Sequence, residues 1–189
     1  MLKKELRKIY KEQRANISSK EKLKLDDLML LQLQKMYFED SLNLLTYWPI
    51  NNHNEPNTHL YSSFLRHSIP GLQIAYPVSD FTDSSMKAVL INEETVYTTN
   101  QYGITEPKEG IELKPTELDL IFVPLLICDQ QGCRVGYGKG FYDKFLAQCR
   151  ENVITLGFNY FSPIDKIQDT DEYDIPLNYC ITPEHIYEF

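Results

Sequence analysis

The stretch LDLIFVPLLICDQQGCRVGYGKGFYDKFLAQCR, residues 118–150, decides the fold. Residues 118–127 form the most continuous apolar run in the chain, as a central strand buried on both faces of a parallel sheet requires. A loop with Gly132, Gly136, Gly138 and Gly140 follows, and KGFYDKFLAQCR then reads as a helix. Such glycines let backbone approach a ligand closely, and a helix N-terminus favours an anion. Arg134 and Lys139 add fixed positive charge to the loop, one as a planar fork and the other as a flexible point charge. Asp143 sits one turn further on, where a carboxylate suits a Mg²⁺ ion bridging phosphate oxygens. The loop lacks the G-K-[ST] of a Walker A motif and the G-x-G-x-x-G of a dinucleotide fingerprint, so spacing alone does not separate a phosphate cradle from an ordinary turn.

Working outward, residues 2–16 carry Leu2, Leu6, Ile9 and Tyr10 at helical spacing, with Lys3, Lys4, Arg7, Lys8, Lys11 and Arg14 on other faces. A second helix starts at the Ile17-Ser18 cap with Glu21 behind it and runs to about residue 39. Strand candidates follow at 42–48 and 72–78, joined by a helix from Pro56 to about His67, which makes a β-α-β unit. Short extended pieces, MKAVLI and TVYTT, mark the segment 80–116, and VITLGF at 153–158 supplies one more strand. The tail from Ser162 reads as loop, short strand and a brief terminal helix. The expected class is α/β, an open, mostly parallel sheet flanked by helices, with two N-terminal helices before the first strand. The whole chain, 1–189, is expected to form one domain.

Composition excludes several classes. The net charge of −8 argues against nonspecific nucleic-acid binding by the whole surface, although the N-terminal helix is locally basic. No run approaches the roughly 20 apolar residues of a membrane helix, and the N-terminus has no apolar segment behind its basic residues. Cys128, Cys133, Cys149 and Cys180 show no zinc spacing and are expected as reduced thiols. A cytoplasmic monomer acting on small molecules, without a nucleic-acid or membrane partner, is the expectation.

The segment 123–146 resembles the signature of the 5-formyltetrahydrofolate cyclo-ligase family at Val123, Pro124, Asp129, Gly132, Arg134, Gly136, Gly138, Gly140, Phe141, Tyr142 and Asp143. The resemblance extends to KKELRKIYKEQR, YWPINNHNEPNT, YGITEP and DEYDIPLNYCIT, in the family's order. The chain departs at Leu125 (Gly in the family), Cys128 (Phe), Tyr173 (His) and Asn178 (Asp). The resemblance implies an ATP- and Mg-dependent cyclisation of 5-formyltetrahydrofolate to 5,10-methenyltetrahydrofolate, with Lys139 and Arg134 as catalytic cations. It places ATP on Lys3, Lys4, Arg7, Arg134, Val135, Gly136, Tyr137, Gly138, Lys139, Gly140, Phe141 and Tyr142. It places the folate on Trp48, Glu55 and Tyr142, and the metal on Asp143 and Asp174.

Each of these residues also has a plainer reading. A basic helix face is commonly solvated, Tyr47 and Trp48 suit a strand core, and Asp129 suits the brace of an ordinary turn. Two rival functions compete: a noncatalytic relative that binds RNA or a protein through its basic helix, and a different nucleotide-dependent α/β enzyme. The combination of Lys139 and Asp143 in one loop argues against the first, and Glu55 discriminates the second.

Overall fold

A computed structural model describes residues 1–38 and 41–189. Two helices come first, α1 (Lys3–Ala15) and α2 (Ser19–Leu33). Glu5 reaches back to the Leu2 N–H at 3.0 Å, and Ser18 Oγ accepts from the Glu21 N–H at 3.2 Å, so donors left over at both helix starts are used. Strand β1 (Asn43–Leu45), helix α3 (Thr58–Ser68) and strand β2 (Gln73–Asp80) form the expected β-α-β unit. Asn57 caps α3 through the Leu60 N–H at 3.3 Å, with Pro56 just outside. The chain continues through β3 (Ser85–Leu90), β4 (Tyr97–Thr99), β5 (Thr105–Pro107), β6 (Glu112–Leu113) and β7 (Leu120–Phe122). Then come β8 (Ile127–Cys128), β9 (Arg134–Val135), α4 (Phe141–Leu146), β10 (Ile154–Phe158), β11 (Tyr179–Ile181) and β12 (Ile186–Glu188).

The main sheet runs β12-β11-β10-β7-β1-β2-β3-β6. Its five middle strands are parallel, and antiparallel strands close both edges. Leu120, Ile121 and Phe122 are fully buried because β7 lies at the centre, with helices or loops over both faces. Strand alternation divides the core: Leu44, Phe122 and Phe158 pack with Met29, Leu33, Tyr61 and Leu65, whereas Leu45, Ile121 and Val123 pack with Phe145 and Leu146. A third cluster of Leu6, Ile127, Val135 and Ile167 fastens α1 to the β8–β9 hairpin.

Several expectations needed correction. The apolar run 118–127 is not one strand, because Pro124 has no N–H to continue the ladder and the chain turns into the β8–β9 hairpin. Leu125, Leu126 and Ile127 stay buried as core, which is why the run looked continuous. Helix α2 stops at Leu33 rather than near residue 39, while Phe38 still enters the core; residue 39, the end of that expected span, lies outside the described ones. Helix α4 ends at Leu146, and no terminal helix exists; Ile186–Glu188 instead pairs antiparallel with β11.

Candidate active site

The glycine loop does not run straight from strand to helix, since the β8–β9 hairpin intervenes. Asp129, buried at its turn, accepts from the Gln131, Cys133 and Ile167 N–H groups at 3.0 Å each, so it is the brace its sequence context suggested. Gly132 has φ +79°, and a Cβ there would stand 2.7 Å from the Leu177 carbonyl oxygen, so glycine is required on both counts. Arg134 follows on β9 and is 8% exposed, not on an exposed loop as expected. Its guanidinium donates to Asp143 Oδ1 at 2.7 Å and to the Ile175 carbonyl.

Beyond the hairpin, Gly136–Gly140 opens onto a cleft of about 540 Å³. Lys3, Arg7 and Lys11 reach it from α1, and Lys139 from the loop itself. Arg7 Nε donates to the Gly136 carbonyl at 2.9 Å, and its guanidinium lies 3.2 Å from where a Cβ on Gly138 (φ +86°) would project. Helix and loop thus form one positive wall. Lys3 forms an ion pair with Asp174, and Asp143 Oδ1 accepts from the Ile175 N–H at 3.2 Å, which brings both candidate metal carboxylates to this end. Two expected phosphate contacts do not belong to the lining. Lys4 is exposed and stands outside the lining, and the Val135 side chain is buried against Leu6 and Ile167. Helix α4 has only six residues, so its N-terminus adds little to the field.

Much of the remaining lining is aromatic and apolar: Tyr47, Trp48, Pro77, Phe81, Met86, Tyr102 and Tyr142. Trp48 belongs to both readings weighed above: it lines the cleft and packs on His59 (centroids 4.5 Å) and Tyr97 (5.0 Å). Phe81, stacked on Tyr102 at 4.0 Å and edge-on to Phe141 at 5.0 Å, joins the turn after β2 and the turn between β4 and β5 to the start of α4. The Tyr142 hydroxyl is buried without a hydrogen-bond partner among the described residues, and burial pushes its phenol up. Such an orphaned group beside a cleft suits a ligand's polar atom.

Among the described residues, Glu55 is the only buried carboxylate on the lining. It is 3% exposed; Oε2 accepts from the Ile50 N–H at 2.6 Å and Oε1 from the Tyr137 hydroxyl at 2.5 Å. Burial pushes its carboxyl above the ordinary value, against the pull of those two donors and of Arg14. The loop that carries it leaves the C-terminal end of β1, where open α/β sheets bind ligands.

For a divalent metal the residues fit only in part. Among the described residues, no three or more His, Cys, Asp or Glu side chains are grouped to hold an ion. Asp143 Oδ2 and Asp174 Oδ1 make no hydrogen bond among them, and Mg²⁺ typically takes one or two carboxylates plus phosphate and water oxygens. The pair therefore suits a metal that arrives with a polyphosphate.

A cationic loop, a buried carboxylate and an aromatic wall in one cleft occur here in the order of a known family, whose model, the 5-formyltetrahydrofolate cyclo-ligase family, matches residues 1–183. The chain belongs to that family. It is 28% identical over 138 residues to the 5-formyltetrahydrofolate cyclo-ligase of Haemophilus influenzae, covering 71% of this chain and 72% of that protein. The Escherichia coli cyclo-ligase is 27% identical over 123 residues, 63% of this chain and 68% of its own length. The solved 5,10-methenyltetrahydrofolate synthetase of Aquifex aeolicus superposes with a TM-score of 0.82 at 27% identity, over all of this chain and 93% of that one. The synthetase from Mycoplasma pneumoniae shares the fold at a TM-score of 0.76 and 24% identity, over 97% and 99% of the two chains.

Most of the departures from the cyclo-ligase pattern have structural explanations. Leu125 does not narrow the loop: its side chain is buried where Gly157 leaves room, since a Cβ on Gly157 would stand 2.9 Å from Leu125 Cδ2. Cys128 is buried beside Cys180 in the core, and all four cysteines are free thiols. Asn178 Oδ1 accepts from the Thr155 N–H at 2.7 Å and Oγ1 at 2.9 Å, so it braces β10. Tyr173 is 75% exposed and outside the lining of the cleft, and nothing in the structure explains that departure.

Proposed function

We propose that this protein catalyses the ATP- and Mg-dependent cyclisation of 5-formyltetrahydrofolate to 5,10-methenyltetrahydrofolate, releasing ADP and phosphate. The observation that carries the reading is one cleft lined both by a cationic glycine loop and by aromatic side chains around a buried carboxylate. Family membership makes a reduced folate and ATP its natural occupants.

The chemical difficulty is removal of a formamide oxygen, a poor leaving group. The formyl oxygen attacks the γ-phosphorus, the bond from that phosphorus to the bridging oxygen breaks, and ADP leaves. N10 then adds to the activated formyl carbon and loses its proton, and the C–O bond breaks to release phosphate and leave the N5–C–N10 cation. Arg7, Lys11 and Lys139 neutralise charge on the transferred group, since such reactions are catalysed mainly by positioning and electrostatics. Arg134 keeps Asp143 aimed. A bound Mg²⁺, held by Asp143 and Asp174, would supply further charge neutralisation on the phosphates. Elsewhere in the cleft Glu55 accepts from the amino group and ring N–H of the pterin edge, while Trp48 and Tyr142 cover its face.

We propose that it works as a cytoplasmic monomer on small molecules. No described helix is long and apolar enough to cross a membrane. Mixing the protein with 5-formyltetrahydrofolate, ATP and Mg²⁺ should produce the methenyl chromophore, and leaving out ATP should abolish it. Equal rates without ATP would sink the proposal. In the same assay, Asp143→Asn and Asp174→Asn should raise the Mg²⁺ requirement by about tenfold or more, the least that loss of an outer-shell metal partner costs. An unshifted requirement in either variant removes that residue from the metal site.

A further inference from the structure

Between Gly136 and Gly138, Tyr137 would be expected to face the phosphates, yet its hydroxyl turns to the buried carboxylate. It donates to Glu55 Oε1 at 2.5 Å and accepts from Arg14 Nη1 at 3.4 Å. Arg14 is 1% exposed, and its Nη2 donates to the Leu125 carbonyl at 2.5 Å. Its own carbonyl accepts from Asn54 Nδ2 at 3.0 Å, which ties α1 to the loop that carries Glu55. The Tyr137 ring is stacked on His53, centroids 5.2 Å apart, with Lys11 Nζ 5.5 Å from its centre. A guanidinium, a phenol and a carboxylate thus stand in a row, supplied by α1, the glycine loop and the loop after β1.

A fully buried guanidinium is costly unless it organises something. Here its side-chain partners are neutral, and Nε has none among the described residues. The hydrogen-bonded route from it to the Glu55 carboxylate runs through the phenol, and its charge also favours the carboxylate through space. A hydroxyl that accepts from a cation becomes a stronger donor, so the row polarises toward Glu55. A mere loop anchor would need neither the buried cation nor the hydroxyl's aim at the one buried carboxylate of the cleft.

We propose that Tyr137, oriented by buried Arg14, is a positioning residue for Glu55, fixing the carboxylate's orientation at the substrate end from within the phosphate-binding loop. The inference rests on the folate reading above. Glu55 faces Arg14 and His53 as groups that favour its charge, and Tyr47, Tyr142 and Tyr160 as phenols around it. Of its two hydrogen bonds, only the one from Tyr137 can be deleted without touching the backbone.

The test is Tyr137→Phe in the full chain, which keeps the ring on His53 and removes only the hydroxyl. Three quantities are compared with the unaltered protein: the titration midpoint of the Glu55 carboxyl by ¹³C NMR, assigned with Glu55→Gln, the Kd of 5-formyltetrahydrofolate, and the Kd of a nonhydrolysable ATP analogue. The midpoint should move up, because a donor to the ionised form is lost. Folate binding should weaken roughly tenfold, and nucleotide binding should change less than about twofold. An unmoved midpoint, or equal losses for both ligands, would overturn the positioning role. If the unaltered protein does not bind 5-formyltetrahydrofolate, the folate reading falls, while the midpoint still decides whether Tyr137 governs Glu55.

Discussion

Glu55→Gln should raise the KM for 5-formyltetrahydrofolate by roughly ten- to a hundredfold, the loss of about 1.5–3 kcal/mol from a hydrogen bond to a charged group, with the ATP KM nearly unchanged. A carboxylate accepts from both donors of the pterin edge, whereas glutamine offers one acceptor and one misplaced donor. The environment separates this loss from misfolding. Ile50 N–H and Tyr137 O–H are the present partners of Glu55, and a glutamine oxygen still accepts from the Ile50 amide while the Tyr137 hydroxyl rotates to accept from its NH₂. The same burial sets a pH dependence. Folate binding requires the ionised form, so affinity is full above the Glu55 pKa and lost as pH falls through it, and that pKa is raised. The acid limb of a folate KM profile should therefore lie above the ordinary glutamate range and vanish in the variant. A limb that persists in Glu55→Gln assigns the titration to another group.

Arg134→Ala and Lys139→Ala should part company, although both sit on the segment that carries the glycines. Lys139 is exposed and makes no hydrogen bond among the described residues. Its loss should lower kcat/KM for ATP roughly ten- to a hundredfold, with stability changed by no more than about 0.5 kcal/mol. Arg134 is buried and holds Asp143 and the Ile175 carbonyl together, so its removal strands a carboxylate and a carbonyl at once. It should cost on the order of 2–3 kcal/mol of stability, less than a fully buried pair because the Asp143 side chain keeps 30% exposure. For a chain of this size that is about 4–12 °C in Tm. ATP use falls as well, through misplaced Asp143. Thermal melts alongside ATP kinetics check both variants; an unchanged Tm in Arg134→Ala would show that its contacts are not structural.

Much of the fold was legible because the signals were local. The central strand Leu120–Phe122 is apolar at every position, and the β-α-β unit around α3 follows from spacing and the Pro56 start. The β8–β9 hairpin was not legible, since an apolar run reads alike whether it continues as a strand or turns within the core, and only Pro124 marked the break. Residues 80–116 resisted for a different reason: β4 to β6 are only two or three residues long, too short for a period to show, and the β3–β6 pairing joins residues about 25 apart; this segment brings Phe81, Met86 and Tyr102 to the cleft. Part of the site could have been read more sharply. Lys3, Arg7, Lys11 and Arg14 fall on one stripe of α1 at steps of three and four, so periodicity placed them together, but Lys4 lies only one further step round the helix and just the packing of α1 against the glycine loop tells it from the cations on the cleft. The burial of Arg14 and the reach of Tyr137 to Glu55 carried no local signal, because they arise where three segments meet.

The central claim is that ATP drives cyclisation by taking the formyl oxygen. Turnover of 5-formyltetrahydrofolate labelled with ¹⁸O in the formyl group, followed by mass spectrometry of the released phosphate, tests it most directly. The account predicts one labelled oxygen in the phosphate for each methenyl product formed. Unlabelled phosphate, with the label recovered in water, would contradict it.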